Sequence, residues 1–142
     1  MTRTTPARTA GCPNEGRFVD NQDGTVTDTC TGLMWQQATA QERLAWREAI
    51  AYCARLHCAG HSDWRLPNVR ELQSIVDYGR SVPSSDPIFG AESGWYWSSS
   101  TYVLYPSYAW SVNFSVGGVY SVNKDYDSFV RAVRGPTGKE DI

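Results

Sequence analysis

Residues 60–79 read GHSDWRLPNVRELQSIVDYG, and they divide at Pro67. The first half is too irregular for a helix and is closed by that proline. Asn68 is then an N-cap, and Glu71, three positions on, occupies the capping-box place, so a helix is expected over 69–79 with Gly79 at its end. Working upstream, Leu44, Ala45, Ala49, Tyr52, Cys53 and Leu56 recur at helical spacing. The segment AWREAIAYCARL, 45–56, therefore reads as an amphipathic helix, with Gly60 as its stop. Before it lie a polar approach, QQATAQER, and a strand continuation through TCTGLMW. Earlier still, Arg17 to Asp20 and Thr25 to Thr27 flank NQDG, whose Asp23-Gly24 pair signals a hairpin.

Downstream of residue 79, RSVPSSDPIFGAESG is a loop by its Pro, Ser and Gly content. The final third is strand. Trp110, Val112 and Phe114 alternate with Ser111, Asn113 and Ser115, a period of two that is expected to turn the apolar set inward and Ser111 and Ser115 outward. Gly117-Gly118 turns the chain, Val119 begins a returning strand, and Phe129 to Val133 makes a last one. The fold class is α+β: an N-terminal hairpin, two helices, and a C-terminal antiparallel sheet with long loops. At 142 residues the chain fits one domain with a real core. The expected division is a tail over 1–15, the domain over 16–136 and a C-terminal tail over 137–142.

Between Thr101 and Phe129 the composition is that of a contact surface. Five of the eight tyrosines lie here, Tyr102, Tyr105, Tyr108, Tyr120 and Tyr126, and the formally charged side chains are Lys124, Asp125 and Asp127. Tyrosine offers large, rigid area with a polar tip, while Ser, Asn and Gly supply adaptable hydrogen bonding, the mixture used by antibody paratopes. A solvated loop normally carries more charge, and a core strand less polarity.

Other features weigh less. Cys12, Cys30, Cys53 and Cys58 permit two disulfides, with Cys12–Cys30 and Cys53–Cys58 the preferred pairing and four reduced thiols the alternative. No CxxC pair points to zinc, and no metal or cofactor is expected. Six tryptophans are read mainly as core. Asp63 and Arg65, around Trp64, are read as anchors of their loop through hydrogen bonds or an ion pair, and Asp20, Asp23 and Asp28 as turn residues rather than a calcium loop. With 13 Lys+Arg against 15 Asp+Glu the net charge is -2, which gives no electrostatic case for a nucleic-acid partner. No apolar run reaches the roughly 18 to 20 residues of a membrane span. MTRTTPARTAGCP lacks the apolar stretch of a secretory signal.

GTVTDTCTGLMWQ, GHSDWRLPNVRELQSIVDYG, GWYWSSS and FVRAVRG, in that order over residues 17 to 135, resemble the domain found at the C-terminus of the Legionella collagen-like adhesin and in many bacterial and phage proteins. The resemblance implies a C-type lectin-like fold that serves ligand binding. It also implies a narrower likeness, to the variable proteins of diversity-generating retroelements, in which adenine-directed mutagenesis rewrites the codons of a C-terminal segment. Of the 29 residues from Thr101 to Phe129, Trp110 and Lys124 alone lie outside the set reachable from Asn codons. In such a template Trp110, Val112, Phe114, Val119 and Lys124 would hold the scaffold. The replaceable, ligand-binding positions would be Tyr102, Val103, Leu104, Tyr105, Ser107, Tyr108, Ser111, Ser115, Val116, Gly118, Tyr120, Ser121, Val122, Asn123, Asp125, Tyr126, Asp127 and Ser128. Val103, Leu104, Val116 and Val122 would form an apolar patch if exposed, or pack as ordinary strand residues if not.

The sequence admits two rival readings. The same fold class hosts the formylglycine-generating enzymes, yet Cys53 and Cys58 fall at a helix and its end, and no Ser/His/Asp set, paired carboxylate site or phosphate loop is legible, so no enzyme activity is expected. The other is a fixed adhesin for a carbohydrate or glycosaminoglycan. The chain has no EPN, QPN or WND motif, with LPN at Leu66 to Asn68 a superficial echo. A sulfated polysaccharide would meet Lys124 alone on the candidate surface, with Arg131 and Arg134 in the framework. The expected partner is thus an unidentified protein or glycan on a target surface. Related lectin-like receptors and adhesins are often trimers, which admits a homo-oligomer here, and the role places the domain extracellularly, on a cell surface or phage particle.

Overall fold

A computed structural model describes residues 15–136 as two antiparallel sheets and two helices. In chain order the elements are β1 (Phe18–Asp20), β2 (Thr25–Asp28), β3 (Met34–Gln36), α1 (Trp46–Arg55), α2 (Val69–Ser74), a 3-10 turn (Pro87–Phe89), β4 (Trp95–Thr101), β5 (Tyr108–Asn113), β6 (Gly118–Asn123) and β7 (Val133–Arg134). The sheets run β1-β2-β3-β7 and β4-β5-β6. The expected α+β class is therefore what the chain adopts. Among the described residues no helix is long and apolar enough to cross a membrane.

The first hairpin closes at the Asp-Gly signal. Gly24 takes a φ of +91°, and the Asp23 carboxylate accepts from both the backbone N–H and the hydroxyl of Thr25. Asp28 closes the other end of β2 with a bidentate pair to Arg17, at 2.9 and 2.8 Å. Turn chemistry and pairing thus account for Asp23 and Asp28.

Helix α1 forms where the apolar spacing predicts it, within one residue of the expected 45–56 at each end, and Leu56 is already extended before Gly60 is reached. Helix α2 starts on a complete capping box: Glu71 N–H donates to Asn68 Oδ1 at 2.8 Å and Asn68 N–H to Glu71 Oε1 at 2.9 Å. It is shorter than the sequence suggests, six residues rather than a run to Gly79. Two contacts take the carbonyls that would continue it. Arg17 donates to Ser74 O, and the Ser74 hydroxyl turns back onto Glu71 O.

The second sheet is covered on both faces. Tyr96 and Val112 join Leu72 and Ile75 of the α2 side in one core cluster, and Trp97 and Ala109 join Ala49 and Cys53 of α1 in another. Trp35, Trp64 and Trp97 are buried. At ~25 cal/mol per Å², each large aromatic stabilises by roughly 4–6 kcal/mol before entropy is subtracted. Trp46, Trp95 and Trp110 are half-buried.

The end of the chain departs from expectation. Phe129 to Val133 does not form one strand of the second sheet. Phe129 makes a parallel bridge to Tyr96, and the chain then crosses to pair Val133 and Arg134 with β3. Arg131 is the cause. Its wholly buried guanidinium donates to the carbonyls of Gln36, Gln37 and Phe89 and to the Thr39 hydroxyl. With no carboxylate among these contacts, carbonyl dipoles, the Thr39 hydroxyl and the faces of Phe89 and Tyr96 stabilise the charge, and the strand reaches them by leaving the sheet. Two further bidentate pairs anchor the crossing: Arg134 with Asp63, and Arg65 with Glu71.

The Cys53–Cys58 disulfide is a correction: both are free thiols. Cys53 points from α1 into the core, where burial pushes its pKa up to about 12. Cys58 is drawn into a bridge with His61, its Sγ near Gly24. Of the expected Cys12–Cys30 pair, Cys12 lies outside the described residues.

Candidate functional site

The residues expected to bind ligand do not form one face. The antiparallel register opposes Tyr108 to Asn123 and Asn113 to Gly118. The β4–β5 loop and the segment after β6 therefore meet at one end of the sheet, while the β5–β6 turn lies at the opposite end.

At the first end the β4–β5 loop folds on itself through main-chain bonds from Tyr105 N to Tyr102 O and from Tyr108 N to Tyr105 O. It lifts Val103, Leu104 and Tyr105 into solvent at 80%, 71% and 64% exposure, with Pro106 and Ser107 exposed beside them. Beneath them runs an aromatic chain: Trp110 to Tyr102 at 4.9 Å, Tyr102 to Tyr105 at 6.0 Å, and Tyr105 to Tyr108 at 6.4 Å between ring centroids. The β6–β7 loop adds Asp125, Tyr126 and Asp127, all exposed. A hollow of about 310 Å³ opens here among Trp95, Tyr108, Ser121, Asn123, Tyr126 and Asp127.

Lys124 ties this end to the frame. Its N–H donates to Ser107 O, its carbonyl accepts from Trp46 N–H, its Nζ donates to Thr101 Oγ1, and the ammonium lies 3.9 Å from the Trp46 ring centroid. Burial, helped by the nearby Arg47 charge, lowers its pKa. The lysine is thus a strut, and the exposed acidic groups of the β6–β7 loop are Asp125 and Asp127, with the exposed Arg47 of α1 near Lys124.

At the far end Val116 is exposed while Ser115 and Gly118 are partly covered. Gly117, at φ +90°, is pinned under Val76 and Tyr78: a Cβ there would stand 2.7 Å from Val76 Cγ1 and 2.9 Å from Tyr78 Cε1. Two exposed residues beside Val116 escaped the sequence reading, Tyr78 and Val82. Tyr78 falls within the helix expected over 69–79, and Val82 is brought here by its N–H donating to Ser115 O across the chain. Trp95 was likewise missed as the ring on which exposed Tyr120 packs edge-on, at 5.1 Å.

The outward placing of Ser111 is corrected, and Ser128 and Val122 are more covered than the exposed loop residues of the expected set. Ser111 is fully buried, its hydroxyl without a partner, because its face of β5 lies between Trp97 on β4 and Tyr120 on β6. Ser128 is buried by reciprocal main-chain bonds with Leu44. Val122 is half-buried, packed partly against the α1-side core, and both it and Ser128 line the hollow of the loop end. Ser121 and Asn123 line the hollow, and the frame residues Val112 and Phe114 are buried, with Val119 packed partly against the core.

A wider hollow, about 830 Å³, lies elsewhere, between α1 and the 36–44 connection. Its charged groups, Glu42, Glu48 and Arg55, are exposed. Among the described residues no group of three His, Cys, Asp or Glu side chains converges as a metal site would.

A family model described as the Lcl C-terminal domain matches residues 24–134, from the glycine of the first hairpin to the end of β7. No curated protein matches the chain.

Proposed function

The chain belongs to the Lcl C-terminal domain family, and on that premise we propose that it is a ligand-binding receptor or adhesin domain, displayed on a cell surface or phage particle. Its contact surface is the end of the second sheet formed by the β4–β5 and β6–β7 loops. The observation that carries this reading is the Val103-Leu104-Tyr105 tip. Three large apolar or aromatic side chains stand in solvent on a loop, beside a fourth, Tyr126, where a monomer gains nothing from exposing them. We further propose that these loops are the replaceable part of a diversity-generating retroelement target. In support, Trp110 and Lys124, the two residues outside the reachable codon set, act as supports: Trp110 under Tyr102, and Lys124 against Trp46.

The test is the encoding locus. It should contain a near-copy of the segment with adenines at the codons of 102–108 and 125–127, beside a reverse transcriptase. A lone gene with no such repeat would leave a fixed adhesin. The hollow lined by Trp95, Tyr108, Asn123 and Asp127 favours a neutral sugar for that second reading, since it joins stacking rings to polar groups. Exposed Asp125 and Asp127, with Lys124 held on Trp46, oppose a sulfated polysaccharide. A glycan array run with and without EDTA separates sugar from protein ligands.

A further inference from the structure

Each sheet among the described residues has two edges, and three of the four are closed or short. The outer edge of β4 is taken by Phe129 and Pro67, through Phe129 N to Trp95 O, Trp97 N to Phe129 O and Ser99 N to Pro67 O. The outer edge of β7 is taken by Arg65, which exchanges both main-chain bonds with Val133. The β1 edge is three residues long. The fourth edge, β6, is different: six residues, GVYSVN, in unbroken register with β5, with no charge, no proline and no bulge. Those are the devices by which natural edges resist pairing.

The direction of its main-chain groups follows from the ladder. Lys124 N–H donates to Ser107 O, and Gly117 N–H to Asn113 O at the turn. In an antiparallel pair the bonded positions alternate, so Gly118, Tyr120 and Val122 turn their N–H and C=O toward β5, and Val119 and Ser121 turn theirs outward. Neither Val119 nor Ser121 has a main-chain partner on that side among the described residues. The two positions are about 7 Å apart, the two-residue repeat of an extended peptide.

We infer that β6 is the docking edge for an extended segment of a protein ligand, which adds to the second sheet as a fourth strand. This rests on the ligand-binding reading above and names the ligand class. A main-chain ladder suits a segment whose side chains are replaceable, because every residue except proline leaves the same donors and acceptors in place. The incoming strand meets Tyr120, braced on Trp95, and at the exit of β6 it meets Asp125 and Asp127, so the docked segment carries a basic residue at that end.

The probe is a phage-displayed library of linear dodecapeptides panned against the whole chain, with the enriched peptide then synthesised. Ser121→Pro removes an outward N–H without removing a β5–β6 bond, and edge positions tolerate proline. It should weaken the peptide by at least about tenfold, while Ser121→Ala stays within about twofold. The same peptide, N-methylated at alternate amides, should fail against the unaltered protein, a readout independent of how the variant folds. Amide exchange at Val119 and Ser121 should slow on binding. A peptide bound equally by Ser121→Pro but lost on Tyr105→Ala overturns the edge and keeps the receptor reading. No enriched peptide, with a glycan bound at the loop end, does the same. Self-association of the chain that Ser121→Pro abolishes makes a second copy the occupant and overturns the inference.

Discussion

The segments that bracket the candidate surface, Trp95–Ser100 and Phe129–Arg134, and the segment they enclose are close in sequence and opposite in construction. The brackets place Tyr96, Trp97, Val130, Arg131 and Val133 at or near zero exposure, each bonded to a distant part of the chain. The enclosed segment places Val103, Leu104, Tyr105 and Tyr126 in solvent and bonds its loops mostly to themselves. Stability and exposure are thereby assigned to different residues, so the loops can change while the fold persists. The separation is not complete. Val112, Phe114 and Gly117 lie inside the enclosed segment and behave as frame.

The largest effect is expected at Arg131. Arg131→Ala removes the donor shared by the carbonyls of Gln36, Gln37 and Phe89, two of them at buried contacts, a loss of roughly 3–5 kcal/mol in urea unfolding. Arg131→Lys should recover little, because one ammonium cannot span the positions that the guanidinium fork reaches. A near-neutral Arg131→Ala would mean that the brackets do not carry the stability. Gly117→Ala comes next, and it tests whether the enclosed segment is uniformly replaceable. A methyl there meets Val76 and Tyr78 at under 3 Å with φ at +90°, so a loss of roughly 2–4 kcal/mol is expected. An unchanged melting temperature would return the β5–β6 turn to the replaceable set.

Asp28 extends the comparison to pH. Burial alone would raise its pKa, but hydrogen bonds and charge from Arg17, with the Cys30 N–H, outweigh that and hold it below its ordinary 3.8. A carboxylate whose folded pKa is depressed contributes stability that is complete above its unfolded value and is lost as pH falls through the folded one. Denaturant unfolding between pH 6 and pH 3 should therefore show a fall at the acid end that Asp28→Asn, about 2 kcal/mol less stable at pH 6, lacks. Lys124→Ala follows at about 1 kcal/mol, from the lost cation–π contact and the Thr101 bond. It should also speed amide exchange at Ser107 and Tyr108 more than at Val112, because the strut supports one end of the sheet.

What the sequence disclosed and what it hid follow from the range of the forces involved. The capping box at Asn68 and Glu71, the Asp23-Gly24 turn and the α1 spacing are local, and each appears where its residues predict. The end of α2 is set by Arg17, 57 positions from Ser74, and the crossing of the last strand by Arg131, 95 positions from Gln36. Neither distance is visible in a window of residues. Ser111 teaches a narrower point. Alternation correctly groups Ser111 with Asn113, but it reports which residues share a face and not whether that face is covered. Here Trp97 and Tyr120 flank it. The candidate surface was legible in composition, and its division between two ends of a sheet was not, because the register that divides it pairs residues on different strands.

The smallest stability effect is the most informative for function. Tyr105 is 64% exposed, and its ring contacts are with Tyr102 on the same loop and Tyr108 at the start of β5. Tyr105→Ala should change stability by less than ~0.5 kcal/mol, the range of surface substitutions. The sequence groups Tyr105 and Tyr108 alike among the expected ligand-binding positions, but Tyr108 is half-buried and starts β5, so Tyr108→Ala is expected to cost more, about 1 kcal/mol. The two variants therefore separate contact from support. Against the selected peptide, Tyr105→Ala should lose affinity while its unfolding curve overlays the parent. If it destabilises as much as Tyr108→Ala, the aromatic chain from Trp110 to Tyr108 is a small core of its own, and the exposed tip reduces to Val103 and Leu104.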